Sequence, residues 1–210
     1  MTDKIVYTAS STEAAPEARK IHRKMLELIK QSCPASVFEI GSGRGLLGAE
    51  IAASGIKYSG IEPDEEQFKA CQRNFPHLSV KRASCYENPT ELDLGQFDLV
   101  ISNDVIEHLY YPRKLVSFAR SLVKPAGMVI TCTPDFGSYW KNIAYSLTNK
   151  WDQVHSPLWE GGHIKFFSKN SLELIFKEGG FGNFSWESVR NINYPIFRMS
   201  IICTCSPTHI

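Results

Sequence analysis

The feature that most constrains this chain is a glycine-rich turn between a short apolar run and a stretch with helical spacing. Residues 36–40 are typical of a buried strand, and residues 45–54 are typical of a helix. Glycine has no Cβ and tolerates positive φ, so the backbone of such a turn can approach a ligand closely. The following helix offers unpaired N–H groups and a positive dipole end to polar or anionic ligand atoms. The turn reads acid-x-G-x-G-x-G and consists of Glu39, Gly41, Gly43 and Gly45.

An acidic residue at the end of the next predicted strand narrows the class of ligand. Residues 56–62 are typical of a strand that ends at Glu62. In a parallel sheet the ligand crevice lies at that end, and an acid about 20 residues beyond a glycine turn can accept hydrogen bonds from ribose hydroxyls. A dinucleotide turn requires Gly or Ala where this chain has Leu46, which argues against a nicotinamide enzyme. The acids at 64–66 are explained as charges at a helix start.

The glycine turn and Glu62 resemble motif I and the ribose-binding acid of class I S-adenosylmethionine-dependent methyltransferases. The resemblance implies an α/β fold with a doubly wound, mostly parallel, Rossmann-like sheet of seven strands and an antiparallel C-terminal hairpin. It extends to the loop after strand three, where the family reads the adenine edge and usually has Asp at the position of Ser84. It also extends to the end of strand four, where the family lines the methionine moiety. The cofactor residues that it implies are Glu39, Gly41, Ser42, Gly43, Gly45, Glu62, Pro63, Ser84, Cys85 and Asn103.

The run Asp104-x-x-Glu107-His108 has two interpretations. It resembles the acid-x-x-Glu-His run of the ubiquinone-type O-methyltransferases, in which such residues are associated with a divalent metal. Two carboxylates and an imidazole could hold Mg²⁺, which would lower the pKa of a substrate hydroxyl. In many relatives a Glu-His-Leu sequence closes this motif without a metal, and His108 would then be a general base or a substrate contact. We favour the metal-free interpretation and assign no metal ligands.

A long aromatic segment follows predicted strand five. Connections in compact α/β units need roughly 2–6 residues, and long ones often bind ligands. The segment 134–168 contains three of the four tryptophans, and its residues 139–147 have helical spacing. It is expected either to form a small satellite core or to build an acceptor pocket that excludes water. The acceptor-side candidates are Tyr139, Trp140, His155 and Trp159, with His163 as a second possible base.

The remaining segments complete one predicted domain over residues 1–210. Residues 13–31 have helical spacing and form most of an N-terminal covering segment, 1–33. Residues 184–190 and 197–205 are typical of strands, and the link between them is too short for a helical crossover. These two strands are therefore expected to pair as an antiparallel hairpin.

The overall composition limits the partners. A net charge of +1 gives no general reason to expect nucleic acid or a membrane surface as a partner. No apolar run reaches the roughly 18 residues of a membrane span, and no signal-peptide core follows the first residues. Six cysteines without a C-x-x-C pair are typical of reduced thiols, so a cytoplasmic location is expected.

The expected function is S-adenosylmethionine-dependent methyl transfer to a small-molecule acceptor, more often on oxygen than on nitrogen. A Mg²⁺-dependent O-methyltransferase that uses Asp104, Glu107 and His108 is one alternative. The others are a nucleic-acid or protein methyltransferase and a non-catalytic cofactor-binding protein. The sequence does not indicate an oligomeric state.

Overall fold

The computed structural model describes residues 16–152, 161–190 and 196–208. The described helices are α1 (Pro16–Gln31), α2 (Leu46–Ala53), α3 (Glu65–Asn74), α4 (Pro112–Leu122), α5 (Tyr139–Thr148) and α6 (Lys169–Glu178). The described strands are β1 (Ser36–Ile40), β2 (Lys57–Ile61), β3 (Ser79–Lys81), β4 (Phe97–Asn103), β5 (Val123–Pro134), β6 (Phe181–Arg190) and β7 (Arg198–Pro207). A short 3₁₀ turn, Ile106–His108, follows β4.

The seven described strands form one sheet in the order β3-β2-β1-β4-β5-β7-β6. The first five strands in this order are parallel, whereas β7 is antiparallel to both β5 and β6. The predicted sheet and its antiparallel C-terminal hairpin are thus confirmed. The strand order reverses between β1 and β4, and in open α/β sheets ligands bind beside such a reversal, at the carboxyl ends of the strands.

Helices cover both faces of the sheet, which explains why its central strands carry apolar residues on both faces. All five residues of β1 are buried. Val37 and Leu99 face an apolar cluster that includes Met25 of α1, whereas Phe38 and Val100 face a second cluster. Parallel strands buried on both faces have this continuous apolar character rather than an alternating one.

Residues 124–127 contain Pro125 and Gly127, which are typical of a tight turn, but they form a bulge within β5. Phe97 pairs with Val123 and Leu99 pairs with Met128, so four residues of β5 lie opposite the single residue Asp98 of β4. The Lys124 ammonium lies 2.7 Å from the Asp98 carboxylate, which stabilises the bulge at its base. Strand β5 consequently begins earlier than the apolar pattern indicated.

The state of the cysteines and the length of the apolar helices were both expected from the composition. All six cysteines are free thiols, and five of them are buried, as expected for reduced cysteines that pack as small apolar residues. In the parts of the chain that the structure describes, no helix is both long enough and apolar enough to cross a bilayer.

Candidate active site

The backbone of the glycine turn after β1 requires glycine for two separate reasons. Gly41 has φ +77°, and a Cβ on this residue would lie 2.6 Å from a methyl carbon of Val105. Gly43 has φ +53°, and a Cβ there would have only Gln67 Oε1 nearby, at 3.7 Å. The first glycine therefore allows the segment after β4 to pack against the turn, and the second exposes its backbone to open space.

The carboxylate of Glu62 is fixed by two backbone N–H groups. Its Oε2 accepts a hydrogen bond from Gly43 at 2.7 Å, and its Oε1 accepts one from Asp64 at 2.9 Å. Burial raises the pKa of Glu62, and these two hydrogen bonds act in the opposite direction. Each carboxylate oxygen has a second lone pair, so the group can still accept hydroxyl donors from a ligand.

A cavity of about 260 Å³ opens at the carboxyl ends of β1, β2 and β4. Eight of the residues predicted to serve cofactor or catalysis line it, namely Gly41, Gly43, Glu62, Pro63, Ser84, Cys85, Asn103 and His108. The structure therefore brings together residues from four separate segments of the sequence. The glycine turn and Glu62 form one part of the wall, and His108 belongs to the segment after β4.

Three predicted cofactor residues do not line this cavity but support the turn from behind. Glu39 lies on the α1 face of β1, and its Oε2 accepts a hydrogen bond of 2.5 Å from the hydroxyl of Tyr58. Burial raises the pKa of Glu39 to about 7, although the Tyr58 hydrogen bond opposes this. Ser42 donates to the carbonyl of Ile61 at 3.4 Å, and a Cβ on Gly45 would meet the Cys71 sulfur at 2.5 Å. Strand alternation directs the Glu39 side chain away from the crevice.

Six further residues that line the cavity were not predicted as cofactor residues: Ile40, Ile61, Gln67, Asp104, Val105 and Leu109. Four of them supply apolar walls. Gln67 lies in the first turn of α3, where its N–H donates to the capping carboxylate of Asp64 at 2.8 Å. Its position one turn after Glu62 was a usable sequence signal. The apolar residues carried no comparable signal, because they resemble ordinary core residues.

Two carboxyl groups belong to the segment that follows β4: Asp104 lines the cavity, and Glu107 is fully buried. Glu107 Oε2 accepts a hydrogen bond from Thr133 at 3.0 Å. Within the described residues, Glu107 Oε1 and Asp104 Oδ1 have no hydrogen-bond partner. Burial raises the pKa of Asp104 to about 6 and raises that of Glu107 well above its usual value, with the Asp104 charge adding to the second effect. Burial and the nearby Asp104 charge therefore both favour the protonated form of Glu107 over its carboxylate.

The two predicted bases, His108 and His163, lie side by side although 55 residues separate them. Their ring centroids are 5.0 Å apart. His108 Nδ1 lies 3.3 Å from the carbonyl oxygen of Gly162, and because a carbonyl only accepts, this nitrogen is the donor. The other nitrogen, Nε2, is then the basic one in the neutral ring. Burial lowers the pKa of His108, so the neutral form dominates at pH 7.

One set of potential metal ligands is present at this point, but it differs from the set of the Mg²⁺-dependent alternative. Glu107, His108 and His163 each place a ligand atom within 4.8 Å of the others. Among the described residues, Asp104 joins no such three-ligand set. Two imidazoles and one carboxylate suit a transition metal better than Mg²⁺, which prefers oxygen ligands.

The aromatic insert differs most from expectation. Tyr139 is 67% exposed and Trp140 is 55% exposed, and neither lines the cavity. Helix α5 instead buries Lys141, whose ammonium donates to the carbonyl of Asp135. The helical spacing was correct, but only Ile143 and Ala144 of the apolar face are half-buried, whereas Tyr139, Trp140 and Leu147 are exposed and the most buried position of the helix is taken by Lys141. The other two acceptor-side candidates, His155 and Trp159, lie outside the described residues.

The sheet order, the glycine turn after β1 and the acid after β2 define the class I S-adenosylmethionine-dependent methyltransferase fold. The resemblance seen in the sequence is thereby supported by the topology. The family described as "Methyltransferase domain" matches residues 13–185. The chain belongs to this family.

Individual relatives agree with this assignment. The chain is 25% identical over 185 residues to the mitochondrial ubiquinone biosynthesis O-methyltransferase of Homo sapiens. The aligned region covers 77% of this chain and 49% of that protein. It is 27% identical over 160 residues to the ubiquinone biosynthesis O-methyltransferase of Rhodopseudomonas palustris, covering 68% of this chain and 59% of that protein. The chain thus spans about half the length of the curated relatives it matches.

Among solved structures, the chain is similar to magnesium protoporphyrin IX methyltransferase from Synechocystis. The TM-score is 0.70 at 14% sequence identity, with 95% of this chain and 90% of that chain covered. At this identity the similarity establishes the fold and leaves the acceptor open.

Proposed function

We propose that this chain binds S-adenosylmethionine and transfers its methyl group to an oxygen atom of a small-molecule acceptor. One observation carries the proposal: a single cavity joins the glycine turn and the fixed Glu62 carboxylate to the neutral imidazole of His108. The names of the curated relatives, which are O-methyltransferases, support oxygen as the methylated atom.

The lining residues fit the cofactor. Gly43 leaves its backbone open to the cavity, and hydrogen bonds from Gly43 and Asp64 fix the Glu62 carboxylate, which can receive ribose hydroxyls. We assign Ser84 and Cys85 to the adenine and Asn103 to the methionine end, because all three line the cavity. Bound S-adenosylmethionine supplies a methyl group that its sulfonium has already activated.

The chemistry left to the protein is alignment, exclusion of water and removal of one proton. Alignment alone can supply much of the rate enhancement of a two-substrate reaction. Ile40, Val105 and Leu109 provide apolar walls that keep water from the reacting centre. His108 Nε2 would accept the proton of the acceptor hydroxyl as its oxygen takes the methyl group and S-adenosylhomocysteine leaves. The His163 ring lies 5.0 Å from the His108 ring.

The other functions weighed from the sequence gain no specific support. A net charge of +1 gives a nucleic acid no general attraction. The Mg²⁺-dependent version loses its predicted ligand set, because Asp104 does not join Glu107 and His108. The cytoplasmic location and the single-domain organisation remain predictions.

Ligand-dependent thermal unfolding tests the proposal. A ligand that binds only the native state raises the unfolding midpoint, and at 100 times its Kd it stabilises by about 2.7 kcal/mol. S-adenosylmethionine and S-adenosylhomocysteine should both raise the midpoint, whereas NAD should not. In Glu62→Gln we expect affinity to fall about 10- to 150-fold, because hydrogen bonds to a charged group contribute about 1.5–3 kcal/mol.

The matched control is Glu66→Gln, which removes an acid of the same helix region whose side chain is 78% exposed. This variant should bind the adenosyl ligands like the wild type. An unshifted midpoint with both adenosyl ligands would overturn the cofactor assignment. A positive result justifies a mass-spectrometric screen of phenols and catechols against amines, RNA and protein.

A further inference from the structure

A buried lysine lies beside the acceptor half of the site and has no part in the proposed chemistry. Lys141 is 2% exposed and is the buried residue of α5, whereas Tyr139, Trp140 and Leu147 of the same helix are exposed. An amphipathic helix ordinarily shows the opposite distribution. Burying an ammonium group is costly unless it gains partners, so its contacts indicate what the charge does.

The polar contacts of Lys141 converge on the end of β5. Its ammonium donates to the carbonyl of Asp135, the residue that follows this strand. The Asp135 carboxylate is itself buried, with Oδ2 at 2.8 Å from Nε of Arg198 and Oδ1 accepting the N–H of Gly137 at 2.8 Å. Strand β5, strand β7 and helix α5 are therefore joined by one ionic network.

The same ammonium lies 5.4 Å from the ring centroid of Phe136, within the range of a cation–π contact. The backbone of Phe136 is held on both sides, since its N–H donates to Phe167 at 3.0 Å and its carbonyl accepts from Asn142 at 2.8 Å. Its ring is edge-on to His163, with centroids 6.1 Å apart and an interplanar angle of 87°.

A continuous series of contacts thus leads from Lys141 through Phe136 and His163 to His108. An apolar side chain of similar length would fill the same space without the cost of burying a charge. What lysine adds is a cation over the Phe136 ring and a donor to the Asp135 carbonyl.

We propose that Lys141 is a positioning residue of the acceptor side, which holds the Phe136 ring against His163 and thereby sets the arrangement of the two imidazoles. The meaning of this arrangement for methyl transfer rests on the proposed function, whereas the contacts themselves do not.

The charge of Lys141 gives the contact a pH dependence. The charged groups that face it are Asp135, at the end of β5, and Arg198, on β7. Burial lowers the pKa of Lys141 to about 8, with Asp135 opposing the change and Arg198 adding to it. The ammonium is present below this pH and is lost above it, so the cation–π contact should weaken in mild base.

Nuclear magnetic resonance of the 210-residue chain with isotope-labelled histidine tests the proposal without an acceptor. The His163 ring signal is assigned by its loss in His163→Gln. In Lys141→Met the signal should shift or broaden, and in Lys141→Arg it should remain near its wild-type position. The matched control is Lys177→Met, because Lys177 also lies over a ring, 5.8 Å from the centroid of Phe184, but outside the cavity. It should leave the signal unchanged.

Binding of S-adenosylmethionine, measured by calorimetry, should remain within twofold of wild type in the three lysine variants, because Lys141 does not line the cofactor cavity. An unchanged His163 signal in a folded Lys141→Met protein would overturn the proposal. If that variant does not fold, Lys141→Gln, which keeps a donor but not the charge, is read in the same way: a shifted His163 signal supports the proposal and an unchanged signal rejects it. Failure of the wild type to bind S-adenosylmethionine would instead reject the proposed function. The His163 signal would still test whether Lys141 positions the Phe136 ring.

Discussion

The two halves of the candidate site are built in different ways. On the cofactor side, Gly41, Gly43 and Glu62 follow directly from β1 and β2, and hydrogen bonds between neighbouring backbone segments fix their geometry. On the acceptor side, His108 and His163 come from distant segments and are held by contacts with the insert after β5. The cofactor half is a property of strand ends, whereas the acceptor half depends on side-chain packing. Substitutions in the cofactor half should therefore change the affinity for the cofactor, whereas substitutions in the acceptor half should change turnover.

The largest expected effect is on the cofactor side, at Gly41. A valine there would meet Val105 at a Cβ distance of 2.6 Å and would also have to adopt a φ of +77°. A positive φ costs a non-glycine residue roughly 1–2 kcal/mol, and the steric clash adds to this. We expect Gly41→Val to lose measurable binding of S-adenosylhomocysteine by calorimetry.

Gly55 provides the control, because it has a φ of +82° but nothing within 4 Å of an added Cβ. Gly55→Val should show the backbone cost as a lower unfolding midpoint and bind the ligand normally. Wild-type affinity in Gly41→Val would contradict the distinction between the two halves, because the cofactor half would then not depend on the geometry of the strand ends.

On the acceptor side the largest effect is expected at His108. General base catalysis contributes about 10²- to 10⁴-fold, so His108→Gln should lower kcat by about 100-fold or more, while the Kd for S-adenosylmethionine changes little. The wild-type rate should fall on the acid side, with an apparent pKa below the usual 6.5 of histidine, because burial lowers the pKa of His108.

The exposed His77 supplies the control for this substitution. His77→Gln should be indistinguishable from wild type in both kcat and Kd. A kcat of His108→Gln within threefold of wild type would show that the acceptor loses its proton elsewhere, with His163 the next group to test.

Glu39 is expected to affect stability rather than turnover. Its pKa is about 7 in the folded protein and near 4.5 when unfolded, so the folded state holds the proton more tightly. The stabilisation is fully present below pH 4.5 and is lost as the pH rises through 7, and the difference amounts to about 3 kcal/mol at most. Urea unfolding at pH 5.5 and 8 should show this loss in the wild type and a smaller loss in Glu39→Gln. An equal loss in both proteins would assign the pH dependence to Glu62, Asp104 or Glu107.

The difference between the two halves explains which parts of the site could be predicted from the sequence. The glycine turn and Glu62 were predictable because their function depends on backbone geometry that neighbouring residues determine. The insert was not, because helical spacing identifies a helix but not which face turns inward. That choice depends on Asp135 and Arg198, which come together only when β5 pairs with β7. The same limit applies to His108 and His163, which no local spacing places 5.0 Å apart.

A smaller effect is expected from the removal of metal ions. If His108 accepts the proton without a metal, EDTA should leave the initial rate with a screened acceptor within about twofold of the untreated rate. A larger loss that Zn²⁺ restores, and that is absent in His163→Ala, would place a metal on Glu107, His108 and His163. The acceptor half would then be organised by an ion rather than by packing.

The smallest effect is expected for the exposed aromatic residues of α5. Tyr139 and Trp140 contact each other, with ring centroids 5.2 Å apart, and both are largely exposed. Surface substitutions away from such sites usually change stability by less than about 0.5 kcal/mol, so the double variant Tyr139→Ser/Trp140→Ser should unfold and bind S-adenosylmethionine like the wild type. Its acceptor KM should also stay within twofold. A tenfold rise in KM with unchanged cofactor affinity would show that α5 turns its apolar face onto the acceptor during turnover, and would restore the two residues to the acceptor side that their spacing predicted.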